Sequence, residues 1–415
     1  MNILLLSTKL SGGAGIACYR QYRNLKKASY SVRILCLEEN PYGSSDIASY
    51  RQFLKKKSDF KKVIFFFKEA LHDRKTKKRL KKNKLNFGEF RFPTSIFDIC
   101  KHPFYQWADC LNFHWVAGFL DWSSFFEQNS KPVVWSMHDM LPFSGGFHYR
   151  KELEVEIHKA VINKVEAQKR ACLRGQNIHV VALSKWLLRE SKKSNLFKNF
   201  PHYLIPNGLD TTFWKKLDKT FSRDVLGLPQ SKKLMLFSAI DLKSKRKGGT
   251  LLLNALKLLN IAKEELGIVL LGINSHFIQN QIDYETYPLG FVRDSRLIKI
   301  VYSACDLVIV PSIEDNLPNV VLESCFCAVP VVGFNIGGLP DMIKNGVNGF
   351  LSEEISSSGL AKAIQMALGN IWEADKVTQY MSSNFSGEKQ AVAYQIIFNK
   401  IMVSHGGNRS TRAKV

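Results

Sequence analysis

Short runs of almost unbroken apolar residues recur along the chain, each followed by a polar or glycine-bearing turn and then by a stretch with helical apolar spacing. The runs fall at residues 2–7, 32–37, 110–116, 132–138 and 179–184, and again at 202–206, 233–239, 267–272, 306–311 and 330–334. A strand that is apolar at every position, rather than at alternate ones, is suited to burial on both faces, and the intervening helices supply the cover. Strand and helix in alternation predict an α/β protein with parallel sheets and helices on both faces. The chain has 415 residues, more than one core usually organises, so two domains are predicted. No sequence repeat links the two series of runs.

Candidate chemistry gathers where predicted strands end. After the run at 306–311, Pro318 suits a first helical turn, which leaves the free backbone donors of the new helix at Asn319 and Val320. Such an end attracts anions. Asp315 stands on the approach to it and Glu323 inside it, with seven residues between them. A ligand carrying phosphate for the helix end and hydroxyls for the carboxylates would satisfy both parts; an exposed helix start with a solvated acidic pair is the plain alternative. After the run at 2–7, the glycines of Gly12-Gly13-Ala14-Gly15 allow a tight loop and a close approach to phosphate, although an ordinary strand-to-helix turn explains them equally well. The run at 132–138 ends in His138-Asp139, which places an imidazole at the carboxyl edge of a sheet, where a structural histidine is also common. Lys243, Lys245, Arg246 and Lys247 precede Gly248, Gly249 and an apolar helix, and four cations ahead of a glycine-opened helix favour phosphate contact.

In this order the blocks resemble the retaining glycosyltransferases of family 4, which have the GT-B fold. Asp315 to Glu323 resembles their E-x(7)-E signature with Asp at the first position, and adjacent Glu314 is the acting residue if the register differs by one. Residues 138–146 resemble a His-Asp-Met-x-Pro-Phe-x-Gly-Gly stretch, and Pro206-Asn207-Gly208 resembles the turn that enters the second domain. The resemblance implies two Rossmann-like doubly wound domains facing across a cleft. Residues 1–200 would form the acceptor-side domain and 201–385 the donor domain; 386–404 would be a helix crossing back to the first, followed by a loose tail at 405–415.

By the same resemblance His138 and Asp315 face the transferred sugar and Glu323 the donor ribose. Gly13 and Gly15 close over the donor, Lys247 with Arg246 or Lys245 meets its diphosphate, and the backbone of Phe291 and Val292 lies against the base, with their side chains in strand packing. The implied activity is a retaining, metal-independent hexosyl transfer from a nucleoside diphosphate sugar to a glycan or lipid-linked acceptor, as in capsule or lipopolysaccharide synthesis, with no cofactor besides the donor. The sequence departs from the relatives after Gly146, where Phe147 replaces a frequent cysteine. A different GT-B enzyme, such as an epimerase or phosphorylase, and a non-catalytic glycan- or membrane-binding protein are the other readings of this fold.

Charge adds a separate feature. The formal net charge is +23, and residues 51–86 hold fifteen Lys or Arg against three acidic residues, about half of the excess. The segment mixes basic clusters at 55–57 and 77–82 with the apolar run 63–67. Basic clusters beside aromatics suit an anionic membrane surface or a lipid-phosphate acceptor. A solvated insertion is the second reading; nucleic acid is set aside because no nucleic-acid fold signature accompanies the charge. The eight cysteines show no zinc spacing, and Cys325 and Cys327 read as buried apolar positions, which suggests a reduced cytoplasmic setting. No signal peptide or membrane-length apolar run is evident, so membrane association is expected to be peripheral, on the inner face of the cytoplasmic membrane.

Overall fold

The computed structural model describes residues 1–56 and 58–412. Lys57 of the basic segment and residues 413–415 of the tail lie outside them. The described residues divide into two compact units, 1–207 together with 388–412, and 208–387.

The first unit contains β1 (Asn2–Ser7), β2 (Ser31–Cys36), β3 (Ile47–Ser49), β4 (Cys110–Phe113), β5 (Val133–Met137), β6 (Ile178–Ala182) and β7 (His202–Leu204). They form one sheet in the order β3-β2-β1-β4-β5-β6-β7, with every pairing parallel. Successive side chains of a strand point to opposite faces, and β1 shows this directly. Leu4 and Leu6 join a core with Phe113, Trp135 and Phe197, while Ile3 and Leu5 join another with Tyr394, Phe398 and Ile401. The last three belong to the helix Gly387–Arg412, which runs past residue 404 into the expected tail because the sequence offers no proline to stop it.

The second unit contains β8 (Lys233–Asp241), β9 (Leu266–Ile273), β10 (Glu285–Gly290), β11 (Leu307–Val310), β12 (Val331–Phe334) and β13 (Gly349–Ser352). Its parallel sheet has the order β10-β9-β8-β11-β12-β13. In both sheets the chain first builds outward in one direction and then returns to the other side of the starting strand. The reversal lies between β1 and β4 in one sheet and between β8 and β11 in the other. Crevices at such points, outside the carboxyl ends of the strands, are where open α/β sheets bind ligands.

Three strands escaped the hydrophobic pattern: β3, β10 and β13. Each lies at a sheet edge, where burial is incomplete or the strand is short. Pro288 interrupts β10, which only an edge readily tolerates. β7 pairs with β6 of the first sheet, although its residues were expected to open the second domain.

Residues 51–86 are helical over most of their length, as Tyr50–Lys55 and Asp59–Lys82. The longer helix has Asp59 in its first turn and Arg79, Lys81 and Lys82 in its last, the arrangement that complements its dipole. Phe53, Leu54 and Phe65 pack against the first core, whereas Phe60, Val63, Phe66 and Phe67 are exposed. Among the described residues no helix is long and apolar enough to cross a membrane. All eight cysteines are free thiols. Cys325 and Cys327 are buried, and burial pushes the Cys327 thiol up to about 12.

Candidate functional site

In the second unit, the loops after β8 and β11 are fastened together around one carboxylate. Gly248 adopts the left-handed φ of 72°, and a side chain there would collide with the carbonyl of Pro311; only glycine lets the two loops approach so closely. The backbone N–H of Ile313 donates to the carbonyl of Arg246 at 2.9 Å. The Arg246 guanidinium donates to the Glu314 carbonyl at 2.9 Å and lies 3.5 Å from Asp315 Oδ2. Lys247 Nζ donates to the same Oδ2 at 2.6 Å. Asp315 is buried and also accepts from the Ser312 hydroxyl and the backbone N–H of Asn316. Burial alone would raise its carboxyl, but Lys247, Arg246 and these donors outweigh burial and hold it below the ordinary carboxylate value. Arg246 and Lys247, assigned to a diphosphate, are thus gathered on the carboxylate assigned to the sugar. Two cations meet at one buried anion in this loop.

Pro318 caps the helix Asn319–Phe326 from outside, one position earlier than expected, so Asn319 and Val320 begin it. Within that helix Glu323 is buried and its Oε2 accepts from the Tyr302 hydroxyl at 2.9 Å, which orients the carboxylate. Phe291 and Val292 follow the end of β10 at the sheet edge. The Phe291 side chain is 46% exposed, not packed into the strand as expected, because the chain leaves the edge strand through Gly290 in the left-handed region.

In the first unit, Gly13 and Gly15 are not in a loop but in the first turns of the helix Gly12–Lys27. A side chain on Gly15 would strike the carbonyl of Lys9, so this glycine lets the helix pack on the chain leaving β1. His138 follows β5 and stacks on His114, which follows β4, with one Nδ1–Nε2 hydrogen bond of 2.8 Å between the rings. Burial pushes His138 down to about 4 and His114 well below its usual value, so both imidazoles are neutral at pH 7. Asp139 accepts from Trp115 Nε1 at 3.2 Å and is 2.7 Å from His148 Nδ1. Its burial is outweighed by His148 and the donors around it, which keep the carboxyl low. Beneath this cluster the ammonium of Lys169 donates to the carbonyl of Ser144 at 3.0 Å and lies over the Trp122 ring, with burial pushing it down to about 7.

His114, Trp115, His148 and Lys169 went unnoticed in the sequence. The first two stand directly after β4, at the same sheet edge as His138-Asp139 after β5, and that parallel position is the signal that could have found them. Lys169 sits within a helix and carried no such signal.

A profile of the family described as glycosyl transferases group 1 matches residues 232–370, which lie in the second unit. This stretch is similar to the group 1 glycosyltransferases. N-acetyl-alpha-D-glucosaminyl L-malate synthase of Bacillus anthracis is 24% identical over 235 residues, covering 54% of this chain and 60% of the relative. A D-inositol 3-phosphate glycosyltransferase of Segniliparus rotundus is 30% identical over 159 residues, 36% of this chain and 35% of the relative. The chain therefore spans 60% or less of the length of these curated relatives. Likeness in fold extends further than likeness in sequence. Anabaena HepE, solved in complex with UDP and glucose, aligns with a TM-score of 0.63 over 96% of this chain and 99% of its own, at 17% identity. Sucrose-phosphate synthase of Thermosynechococcus elongatus aligns with a TM-score of 0.67 over 97% of this chain and 100% of its own, at 15% identity. With two Rossmann-like α/β units, the chain has the GT-B fold of these solved structures.

Proposed function

We propose that this chain is a retaining, metal-independent glycosyltransferase that moves a hexosyl group from a nucleoside diphosphate sugar to a glycan or lipid-linked acceptor in cell-surface polysaccharide synthesis. The observation that carries the reading is the buried Asp315 clamped by Lys247 and Arg246 beside the start of the helix that holds Glu323. Two cations and a helix N-terminus offer fixed positive charge to a diphosphate without a bridging metal. Glu323, oriented by Tyr302, is assigned to ribose hydroxyls and Asp315 to the sugar. The bond between the sugar C1 and the diphosphate oxygen breaks with its electron pair on the phosphate, where Lys247 and Arg246 stabilise the charge. The acceptor hydroxyl bonds to C1 on the same face and its proton passes to the departing phosphate. Anabaena HepE, of the same fold, has been solved with UDP-glucose, which supports a nucleotide sugar as donor.

The helix Asp59–Lys82 is assigned to an anionic membrane surface. Its exposed apolar residues Phe60, Val63, Ile64, Phe66, Phe67 and Leu71 are interleaved with exposed Lys61 and Lys68 and followed by exposed Lys75, Lys77, Lys78, Lys81 and Lys82, so rings could enter the interface while ammonium groups meet phosphate. A peripheral place on the cytoplasmic leaflet follows. The test of the donor reading is a thermal-shift screen of UDP, GDP and their sugars, because a ligand of the native state raises the melting temperature; no shift with any of them would reject it.

A further inference from the structure

Two cavities open within the first unit at the carboxyl edge of its sheet. The larger, of about 250 Å³, lies under the helix Asp59–Lys82 and takes Glu69, His72 and Thr76 from the inner side of that helix. The smaller, of about 30 Å³, is bounded by His114 and His138. Arg91 and Trp115 line both, so the cavities adjoin. Aromatic rings share the walls of the larger cavity with polar and charged groups, Lys9, Arg51 and Arg91 as well as Glu38, Glu69 and Asp73, a mixture that suits a sugar, whose ring faces are apolar and whose hydroxyls seek hydrogen bonds.

Three polar atoms on this path are buried with no hydrogen-bond partner among the described residues, Arg91 Nε, His114 Nε2 and Trp135 Nε1. The Arg91 guanidinium is attended by rings alone, 5.0 Å from the centre of Phe87 and 5.9 Å from that of Trp115. No carboxylate pairs with it among the described residues, whereas nearby Arg51 is neutralised by Glu69 at 2.7 Å. Arg91 is half-buried, and its buried Nε without a partner is unfavourable until something supplies an acceptor. His114 is 3% exposed and its Nδ1 is engaged with His138, so its free Nε2 is a donor in one tautomer and an acceptor in the other. A hydroxyl satisfies either.

We propose that these joined cavities are the acceptor site and that the acceptor is an anionic sugar, with its carboxylate or phosphate on Arg91 and a hydroxyl on His114. The inference rests on the reading of the chain as a sugar transferase, and adds to it the chemical class of the acceptor.

The test is a calorimetric titration of the full chain, saturated with UDP to occupy the donor site, with glucose, glucuronate and glucose 6-phosphate. At least one anionic sugar should bind roughly tenfold tighter than glucose, as expected for a charge-assisted contact, and whichever does so identifies the anion. Arg91→Gln should abolish the preference, Arg91→Lys should retain part of it, and UDP affinity should stay the same in both. His114→Gln is an independent variant, expected to weaken all three sugars alike and leave the preference intact. Equal binding of glucose and both anionic sugars, a preference that survives Arg91→Gln, or inorganic phosphate binding as tightly as glucose 6-phosphate would overturn the proposal. Failure of UDP and GDP to bind the unmodified chain would instead overturn the donor reading; the sugar titration is then read on the nucleotide-free chain.

Discussion

Asp315→Asn replaces a buried anion by a neutral group of nearly the same shape. Its Oδ2 lies 2.6 Å from Lys247 Nζ and 3.5 Å from the Arg246 guanidinium, and the three side chains are 7%, 24% and 15% exposed. Removing one member of a buried ion pair usually costs about 3–5 kcal/mol because the other charge is left uncompensated. Partial exposure lets water reach Lys247, so about 2–3 kcal/mol is expected for the second unit. The pH dependence has a definite sign. The folded carboxyl sits below its ordinary value, so its contribution is fully present above the unfolded value of about 3.9 and is lost as pH falls through the lower folded value. Wild type and variant should therefore differ at neutral pH and converge in acid. Urea titration followed by hydrogen exchange in peptides from residues 307–326 reports on this unit by itself. In turnover assays, Asp315→Asn should lose activity more than it loses nucleotide affinity, since a bound diphosphate replaces part of the missing negative charge. Equal stability of the two proteins at neutral pH would refute the electrostatic reasoning. Full turnover in Asp315→Asn, with loss in Glu314→Gln, would show that Glu314 is the acting carboxylate.

Glu323→Ala should weaken binding of UDP or GDP by roughly tenfold or more, the effect of losing a charged acceptor for hydroxyls; unchanged affinity in calorimetry would remove Glu323 from the ribose. Transfer activity should survive EDTA, and a complete loss restored by magnesium or manganese would mean that Lys247 and Arg246 do not carry the phosphate charge alone. Neutralising Lys77, Lys78, Arg79, Lys81 and Lys82 should reduce sedimentation with anionic vesicles, by about 1 kcal/mol for each residue near the surface, without changing nucleotide affinity. Full sedimentation of that variant, or a loss of nucleotide binding, would contradict the assignment of this helix.

Central strands were legible because burial on both faces leaves an apolar mark at nearly every position, as in β11. Edge strands lack that requirement. β10 reads as polar sequence broken by Pro288, β3 has three residues, and β13 opens with Gly349 and closes with Ser352, so none shows an apolar run. The turn chemistry of the second unit was legible as well, since Gly248 and the cations before it stand at fixed offsets from a strand and a helix. The grouping of Lys247, Arg246 and Asp315 was not, because it joins two loops 68 residues apart through a tertiary contact. The same holds for His114 and His138, which neighbouring strands bring together across 24 residues. Helical spacing showed little in Asp59–Lys82, where basic and apolar residues mix on every side and only Leu80 is buried.

The most direct test of the proposed donor site compares UDP and GDP with their nucleosides by calorimetry, on the unmodified chain and on Lys247→Gln. One diphosphate should bind the unmodified chain well over tenfold tighter than its nucleoside, as charge-assisted contacts to phosphate imply, and Lys247→Gln should narrow that gap while leaving nucleoside affinity unchanged. A gap that persists undiminished in Lys247→Gln, or an unmodified chain that binds neither diphosphate, would contradict a donor site built on Lys247, Arg246 and Asp315.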